Sequence, residues 1–578
     1  MSTIDQTITL PGANYARTAM TRRRLAIMTI VVSIGFAVIG AKLVQLGTVE
    51  TTTTIEGQEI SEIEASRPAI LDRNGLEMAV DLRVPSLYAE PRRIIDVEEA
   101  VTALRSVLPD LDPTWLRNRL TGDKGFVWVQ RELTPNIRDQ VMGLGIPGID
   151  FLTESRRFYP GGVEASHVLG TVNIDSQGIA GIESDLDDSG VAALQAAGIA
   201  RGQALQAVRL TIDMRVQHAM YVELVDAIKR YQSIAGAGVM LDARTGEILA
   251  MVSLPDFDPN VPASALEEGR FNRITAGNFE LGSVVKTVSF AAALDSGAVT
   301  LNDSFDARFP VRFGRFAIND FRGEGRILTV PEIFRYSSNV GTIQIVQQMG
   351  KDNYRAFFSR VGFDKPIVTE LPEMAAPNVP AEFSEVVAAT ASFGHGFSIS
   401  PLHMARALAA FVNGGNLLQP TFYPRTETVA LTMATRVISE ETSAILRQLL
   451  RFNAMQGSGS RMNRIAMGYR VGGKTGTAEK VVNGRYGAKK NLNVFVTAFP
   501  MEDPQYVMLI LLDEAEPENP QSGNTAGWNA GEVSGRIIAK VAPMLGVAPA
   551  PTPDLDAAII AAMTRPLTAA PLVAGEQP

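Results

Sequence analysis

Apolar and polar positions fall into four regimes along the chain. From 25 to 41 the run LAIMTIVVSIGFAVIGA carries no charge, and Lys42 can snorkel so that Leu46 extends it. At about 1.5 Å per residue a helix over 25–46 spans roughly 33 Å, enough to cross a bilayer. Arg17, Arg22, Arg23 and Arg24 precede this run, whereas Glu50, Glu56, Glu59, Glu62 and Glu64 follow it. The positive-inside rule therefore predicts a cytoplasmic tail over 1–24, a single-pass anchor over 25–46, and everything after Gly47 outside. A cleaved signal peptide is the competing reading, since Gly40 and Ala41 are small, but the apolar run is too long for one and a polar segment precedes it.

Between 47 and 231 charge is frequent, β-like stretches are short (FVWVQ at 126–130), and turns such as Tyr159-Pro160-Gly161-Gly162 interrupt them. The pattern predicts an extended α+β module of several pieces. Val216, Met220, Leu224 and Ile228 then recur at helical spacing, which predicts an amphipathic helix over 214–231 leading into a second domain over 232–546. In that domain 236–242 and 247–254 read as strands about a turn ending in Gly246, and 493–499 and 506–512 as strands about 500–504. Helical patterns over 283–296, 339–349 and 402–412 lie between the two hairpins. The simplest architecture is an α/β (α+β) fold, an antiparallel sheet flanked by helices inserted between its strands. After Gly546 the sequence becomes Pro/Ala-rich and reads as a disordered tail, 547–578, with room for a short helix over 554–563.

Composition narrows the chemistry. The 578 residues include 53 Lys+Arg against 62 Asp+Glu, a net charge of −9, which argues against nucleic acid as a partner. There is no cysteine, so disulfides, thiolate nucleophiles and Cys-ligated metals are excluded. The four histidines, His167, His218, His395 and His403, form no H-E-x-x-H pair, and no cofactor or metal is expected.

Two constellations compete for function. Gly468 to Thr475 (GYRVGGKT) matches the phosphate-loop pattern, and Leu509 to Glu514 resembles an acidic magnesium-binding strand. A phosphate cradle needs a buried strand before the loop and a helix after it. Here 461–467 is polar and 475–484 reads as strand and turn, so the match is fortuitous. The second constellation is Ser283-Val284-Val285-Lys286, then Ser337-Ser338-Asn339, then Lys474-Thr475-Gly476, in that order. This is the S-x-x-K, S-x-N, K-T-G set of acyl-serine enzymes. Ser522-Gly523-Asn524 is another S-x-N, but it follows the K-T-G element in a Gly/Asn-rich loop.

The spacing has a chemical sense. Positions i and i+3 of a helix share a face, which puts the Lys286 amine beside the Ser283 hydroxyl. A lysine held against apolar surface loses its proton readily and can act as base for a serine nucleophile. At a helix N-terminus Ser283 also lies near backbone N–H groups that can stabilise an oxyanion. Ser337 can relay a proton to the leaving amine, and Asn339 can hold Lys286 or a substrate amide. Strand periodicity puts Thr475 and Thr477 on one face, where their hydroxyls and the backbone around Gly476 can grip a carboxylate and the developing oxyanion. Lys474 adds positive charge for an anionic peptide end. Taken singly, Ser283 and Ser337 read as helix caps and Lys286 as a solvated first-turn residue; order, element type and flanks together favour catalysis.

On these motifs the chain resembles the class B penicillin-binding proteins, membrane-anchored peptidoglycan D,D-transpeptidases. The resemblance extends from the anchor to about Gly546. Arg67-Pro68-Ala69-Ile70-Leu71-Asp72-Arg73-Asn74-Gly75, then Arg157-Phe158-Tyr159-Pro160 through His167, then Asp175 to Glu183 (DSQGIAGIE) look like the family's pedestal motifs, and Thr245 to Met251 (TGEILAM) like its first transpeptidase hairpin. The DSQGI segment and YRVGGKTGTAEK (469–480) most resemble the division-specific FtsI type rather than the elongation type. The resemblance implies a penicillin-binding transpeptidase fold on a pedestal, with Ser283 acylated by the D-Ala-D-Ala end of a stem peptide and deacylated by an amine of a second strand, and β-lactams trapping Ser283. It further implies a SEDS-family glycan polymerase and other divisome membrane proteins as partners, and residence in the inner membrane at the septum with the catalytic domain periplasmic. Two positions depart from the family's usual pattern: Leu281 and Thr287 stand where Pro is frequent.

The alternatives are a D,D-carboxypeptidase, a β-lactamase and a catalytically silent division scaffold. No motif assigns the water-activating base that a β-lactamase requires. His395, between Gly394 and Gly396, reads as a structural feature of a loop near the cleft rather than a base. His218 and His403 read as surface or packing residues, Asp242 and Glu247 as turn residues, and Trp528 as lining the cleft or packing. Arg67 and Glu183 are candidates to pair across the pedestal.

Overall fold

Alternating burial along the first third gives a sheet with one face in a core. The computed structural model describes residues 67–188, 206–482, 485–550 and 553–564, with isolated positions between 28 and 37. The expected anchor over 25–46 therefore falls, but for those positions, outside the described residues; among the described residues no helix is long and apolar enough to cross a membrane. Strands β1 (Ile70–Leu71), β2 (Glu77–Ala89), β3 (Val127–Gln130), β4 (Ile149–Phe158) and β5 (Val208–Arg209) form the pedestal sheet. β2 runs antiparallel to β1, β3 and β4, and β1 parallel to β5. Leu87 and Ala89 of β2 and Val127 and Val129 of β3 meet Ala100, Leu104, Leu116 and Leu120 of two helices, Val97–Val107 and Pro113–Leu120. Asp96 and Asp112 cap those helices through their side chains, which fixes where each begins.

The three pedestal motifs, far apart in sequence, meet in one buried ion cluster. Glu183 accepts from Arg157 Nε at 2.7 Å and lies 2.9 Å from Arg67 Nη2; Arg157 Nη1 reaches Asp81 at 3.0 Å and Arg67 Nη1 reaches Asp187 at 2.6 Å. Burial pulls the Arg157 pKa down, but Glu183 and Asp81 outweigh it and hold the group above its ordinary value. The expected Arg67–Glu183 pair is thus one edge of a larger network.

The second sheet contains β6 (Ala235–Asp242), β7 (Ile248–Leu254), β14 (Gly472–Val482), β15 (Arg485–Phe499) and β16 (Tyr506–Asp513) in the order β14-β15-β16-β6-β7, antiparallel throughout. Three short pairs lie off it: β8 (Ser304–Asp306) with β11 (Ile327–Thr329), β9 (Val311–Phe313) with β10 (Phe316–Ile318), and β12 (Asn416–Leu417) with β13 (Thr435–Arg436). Successive residues of the large sheet enter different cores. Val507, Leu509 and Leu511 pack with the helices Lys286–Asp295 and Pro401–Val412, whereas Met508, Ile510 and Leu512 pack with Met214–Arg230 and Ala530–Met544. Burial on both faces explains why these strands read as unbroken apolar runs instead of alternating.

Two helices near the expected boundaries pack into the cores around the second sheet. Met214–Arg230 forms as a helix, but Val216, Met220 and Leu224 are sealed against Met240, Val252 and Ile510, so it belongs to the catalytic sheet and not to the pedestal span ending at 231. Apolar residues on one stripe follow their partner surface rather than the chain's composition. The short helix for which 554–563 had room forms as Pro553–Met563 within the tail expected over 547–578, and it docks. Asp556 pairs with Arg451 at 2.7 Å and Arg470 at 2.8 Å, and Met563 is buried in the main core. Its counter-ions lie 105 and 86 residues upstream in sequence, which a reading of local composition does not detect.

Candidate active site

The nucleophile turn is built by close backbone approach. Gly282 takes a positive φ of 59° and starts a 3-10 turn, Gly282–Val285, which runs into the helix Lys286–Asp295. The helix expected from 283 thus begins with a tighter turn, in which positions i and i+3 eclipse and bring Ser283 and Lys286 into one column. Ser283 is half-buried, while Lys286 is fully buried. The Lys286 ammonium donates to Ser337 O at 2.5 Å, Ser337 Oγ at 3.1 Å and Asn339 Oδ1 at 2.7 Å. Asn339 therefore holds the lysine, one of the two roles its position allowed. Among the described residues the Ser283 hydroxyl has no hydrogen-bond partner.

Ser337 sits in the left-handed region (φ 57°), closing the helix Val330–Tyr336, and Ser338 caps the next helix, Asn339–Met349. The kink between two helices is what turns Ser337 Oγ inward. There it also accepts from Lys474 Nζ at 3.0 Å, so one hydroxyl lies between two lysine amines. Burial, and then the Lys474 charge, hold the Lys286 pKa well below its ordinary value, against an opposite pull from Asp320. Burial alone brings Lys474 down to about 7. Two buried ammoniums around one serine disfavour each other's charge, and at neutral pH the cluster can hold an uncharged amine.

Lys474, Thr475, Gly476 and Thr477 lie on β14, a strand rather than a phosphate loop, which removes the nucleotide reading on structural grounds. Lys474 and Gly476 are buried, and Thr475 and Thr477 are half-buried on the opposite face. A Cβ at Gly476 would lie 2.4 Å from Leu281 O, so only glycine lets β14 press on the nucleophile turn. Thr475 Oγ1 donates to Ser458 Oγ at 2.8 Å, and Thr477 Oγ1 accepts from Ala526 N at 3.2 Å. Of the eight residues named from the sequence, Lys286, Ser337, Asn339 and Lys474 are thus joined by hydrogen bonds, Thr475 and Thr477 flank them on β14, and Gly476 presses on the turn that carries Ser283; among the described residues no hydrogen bond joins Ser283 to the others.

A family model for the penicillin-binding protein transpeptidase domain matches residues 236–539, and one for the penicillin-binding protein dimerisation domain matches 62–190. The chain is 37% identical to the probable peptidoglycan D,D-transpeptidase FtsI of Caulobacter vibrioides, over 84% of this chain and 82% of the relative. The chain belongs to the penicillin-binding protein transpeptidases. Within them it is a class B member of the FtsI type. The probable peptidoglycan D,D-transpeptidase PenA of Neisseria meningitidis serogroup A is 31% identical over 97% of each chain. A peptidoglycan synthetase from Bifidobacterium adolescentis shares the fold, with a TM-score of 0.65 at 21% identity over 85% of this chain and 97% of that one.

In this penicillin-binding protein the two departures from the family pattern are accommodated locally. Thr287 Oγ1 donates to Val284 O at 2.7 Å within its own turn, and Leu281 is buried in the core. His395 lies against Phe393 at 5.2 Å between centroids, and burial first, then Lys286, keep its ring below the ordinary histidine pKa. The glycine before it is required: a Cβ at Gly394 would lie 2.1 Å from Gly282 O. His403 is buried between Ser400 Oγ and Lys365 O, and His218 is exposed beside Glu164. Asp242 accepts from Arg244 N in its turn, and Glu247 from Arg425 N. Trp528 packs beneath Arg461, whose guanidinium is 4.8 Å from its ring.

Sequence reasoning missed three supporting residues. Asp320 accepts from Ser338 Oγ (2.7 Å), Asn339 N (2.5 Å) and Val340 N (2.9 Å), and so fixes the S-x-N loop from a segment outside every motif. Asn453 donates to Gly473 O at 2.7 Å and, with Ser458, holds β14. The available signal for Asp320 was a carboxylate within twenty residues of an N-cap Ser-Asn, too common a pattern to single out.

Proposed function

We infer that the chain cross-links peptidoglycan stem peptides through a Ser283 acyl-enzyme. The observation that carries this reading is the Ser337 hydroxyl held between two fully buried lysines, one of them a single turn after the half-buried Ser283. Ser283 Oγ attacks the carbonyl carbon of the penultimate D-Ala and passes its proton to neutral Lys286. The peptide C–N bond breaks, and the terminal D-Ala leaves as an amine after receiving a proton through Ser337. An amine of a second strand then attacks the ester carbon, forming a new C–N bond as the C–O bond to Ser283 breaks, and the proton lost by that amine returns to Ser283 Oγ. Lys474, Thr475 and Thr477 bind the donor's terminal carboxylate, and backbone N–H groups at Ser283 and Thr477 stabilise the oxyanion. A β-lactam follows the first step only.

The division-specific motifs and the FtsI relatives support action at the septum. The apolar run over 25–46 supports a single-pass anchor with this domain on the outer side of the membrane, where a SEDS-family polymerase and divisome proteins would meet anchor and pedestal. Covalent labelling with a fluorescent penicillin, located by peptide mass spectrometry, tests the reading. Label on the Ser283 peptide of the parent, and none on a folded Ser283→Ala variant, is the expected result; a folded parent without label overturns it in favour of a scaffold.

A further inference from the structure

Residues 306–326 carry five arginines against three carboxylates in a chain that is acidic overall. Phe309, Phe316 and Phe321 are 67%, 60% and 82% exposed, and each has a neighbouring arginine guanidinium over its ring, at 5.5, 5.5 and 5.8 Å. Single exposed apolar residues are ordinary; three phenylalanines with stacked cations in thirteen positions are a patch. Some arginines of this segment are neutralised: Arg308 pairs with Asp306 and Arg326 with Glu332. Among the described residues no carboxylate lies within ion-pair distance of Arg312, Arg315 or Arg322.

The lobe is not a loose loop. The β9–β10 hairpin seats Val311, Phe313 and Ile318 against Ile343, Ala389 and Phe393 of the catalytic domain, which leaves Arg312, Arg315 and Phe316 exposed. The same segment ends in Asn319, whose carbonyl accepts from Asn339 Nδ2 at 3.3 Å, and Asp320, which clamps Ser338 to Val340. A ligand on this surface is therefore coupled by direct hydrogen bonds to the S-x-N wall of the cleft. The donor's carboxylate is served by a different element, β14.

We propose that the 306–326 lobe binds the acceptor strand of peptidoglycan, through arginine contacts to its stem-peptide carboxylates and phenylalanine contacts to its sugar rings. This rests on the transpeptidase reading and extends it to the second substrate. Guanidinium groups match carboxylates with two parallel donors, and Arg312, Arg315 and Arg322 have no carboxylate within ion-pair distance among the described residues. The bound strand would lie beside the wall that carries Ser337 and Asn339, so its amine can be delivered to the acyl-serine.

The test uses the full-length chain and purified uncross-linked peptidoglycan strands with free stem-peptide carboxylates, beside the same strands amidated. Arg312→Glu/Arg315→Glu/Arg322→Glu should weaken strand binding roughly tenfold, since exposed ion pairs contribute modestly each. Amidated strands should bind the parent as weakly, added salt should reduce parent binding, and Arg312→Lys/Arg315→Lys/Arg322→Lys should retain most of it. Thermal unfolding of both variants checks the fold independently. Equal affinity of the parent and the charge-reversed variant for free-carboxylate strands would overturn the proposal, as would loss confined to capture of an acidic protein. Failure of penicillin to label Ser283 in the parent would instead strike the transpeptidase reading, which separates the two.

Discussion

The molecule buries charge in two places and treats it in opposite ways. In the pedestal, Arg67 and Arg157 are matched by Glu183, Asp81 and Asp187, and the Arg157 guanidinium is held in its charged form. In the cleft, Lys286 and Lys474 share a serine hydroxyl and are pushed toward neutrality. Asp320, the carboxylate that draws on Lys286, is spent on the S-x-N backbone. Both sites bury charge, so burial alone does not mark catalysis. What distinguishes them is whether the buried charge has a counter-ion: with one it becomes a rigid joint, and without one it becomes a base.

Removing the uncompensated charge should abolish chemistry and spare the fold. Lys286→Ala should slow acylation of Ser283 by roughly 10²- to 10⁴-fold, with circular dichroism unchanged. Removing the compensating charge should do the reverse. Glu183→Ala removes the carboxylate shared by Arg67 and Arg157, which keep Asp187 and Asp81, and should cost about 1–3 kcal/mol, read from chemical unfolding, while the folded fraction keeps its acylation rate. Asp320→Ala tests the residue that touches neither substrate nor nucleophile: loosening the S-x-N loop should lower acylation about 10- to 100-fold, with Asp320→Asn recovering part. The mildest change is Asp556→Ala, which frees the helix Pro553–Met563 from Arg451 and Arg470; at a partly exposed carboxylate this should cost about 1 kcal/mol.

How much of this was legible follows from how local each signal is. The strands β6, β7, β15 and β16 were visible because both faces are buried and their apolar runs are unbroken, and the helix Asn339–Met349 because its pattern is its own. Ser283, Lys286, Ser337, Asn339 and the β14 residues were visible because each chemical role demands a residue type at a short spacing. Asp320, Asn453 and Ser458 were not, since a carboxylate or amide that satisfies distant backbone groups leaves no periodic trace. The 3-10 start at Gly282 was read as plain helix because the constraint comes from Gly394 and β14, not from its neighbours in sequence. The docking of Pro553–Met563 was hidden behind a Pro/Ala-rich approach that resembles disorder.

The central claim is that an uncharged lysine takes the proton from Ser283, and the pH dependence of penicillin acylation tests it most directly. The rate constant, measured from about pH 5 to about pH 10, should be low in acid and rise as the Lys286–Lys474 pair loses a proton. The midpoint should fall well below the ordinary lysine value of 10.5, and this limb should vanish in Lys286→Ala. A rate that is flat over that range, or that rises only near 10.5, would contradict the account.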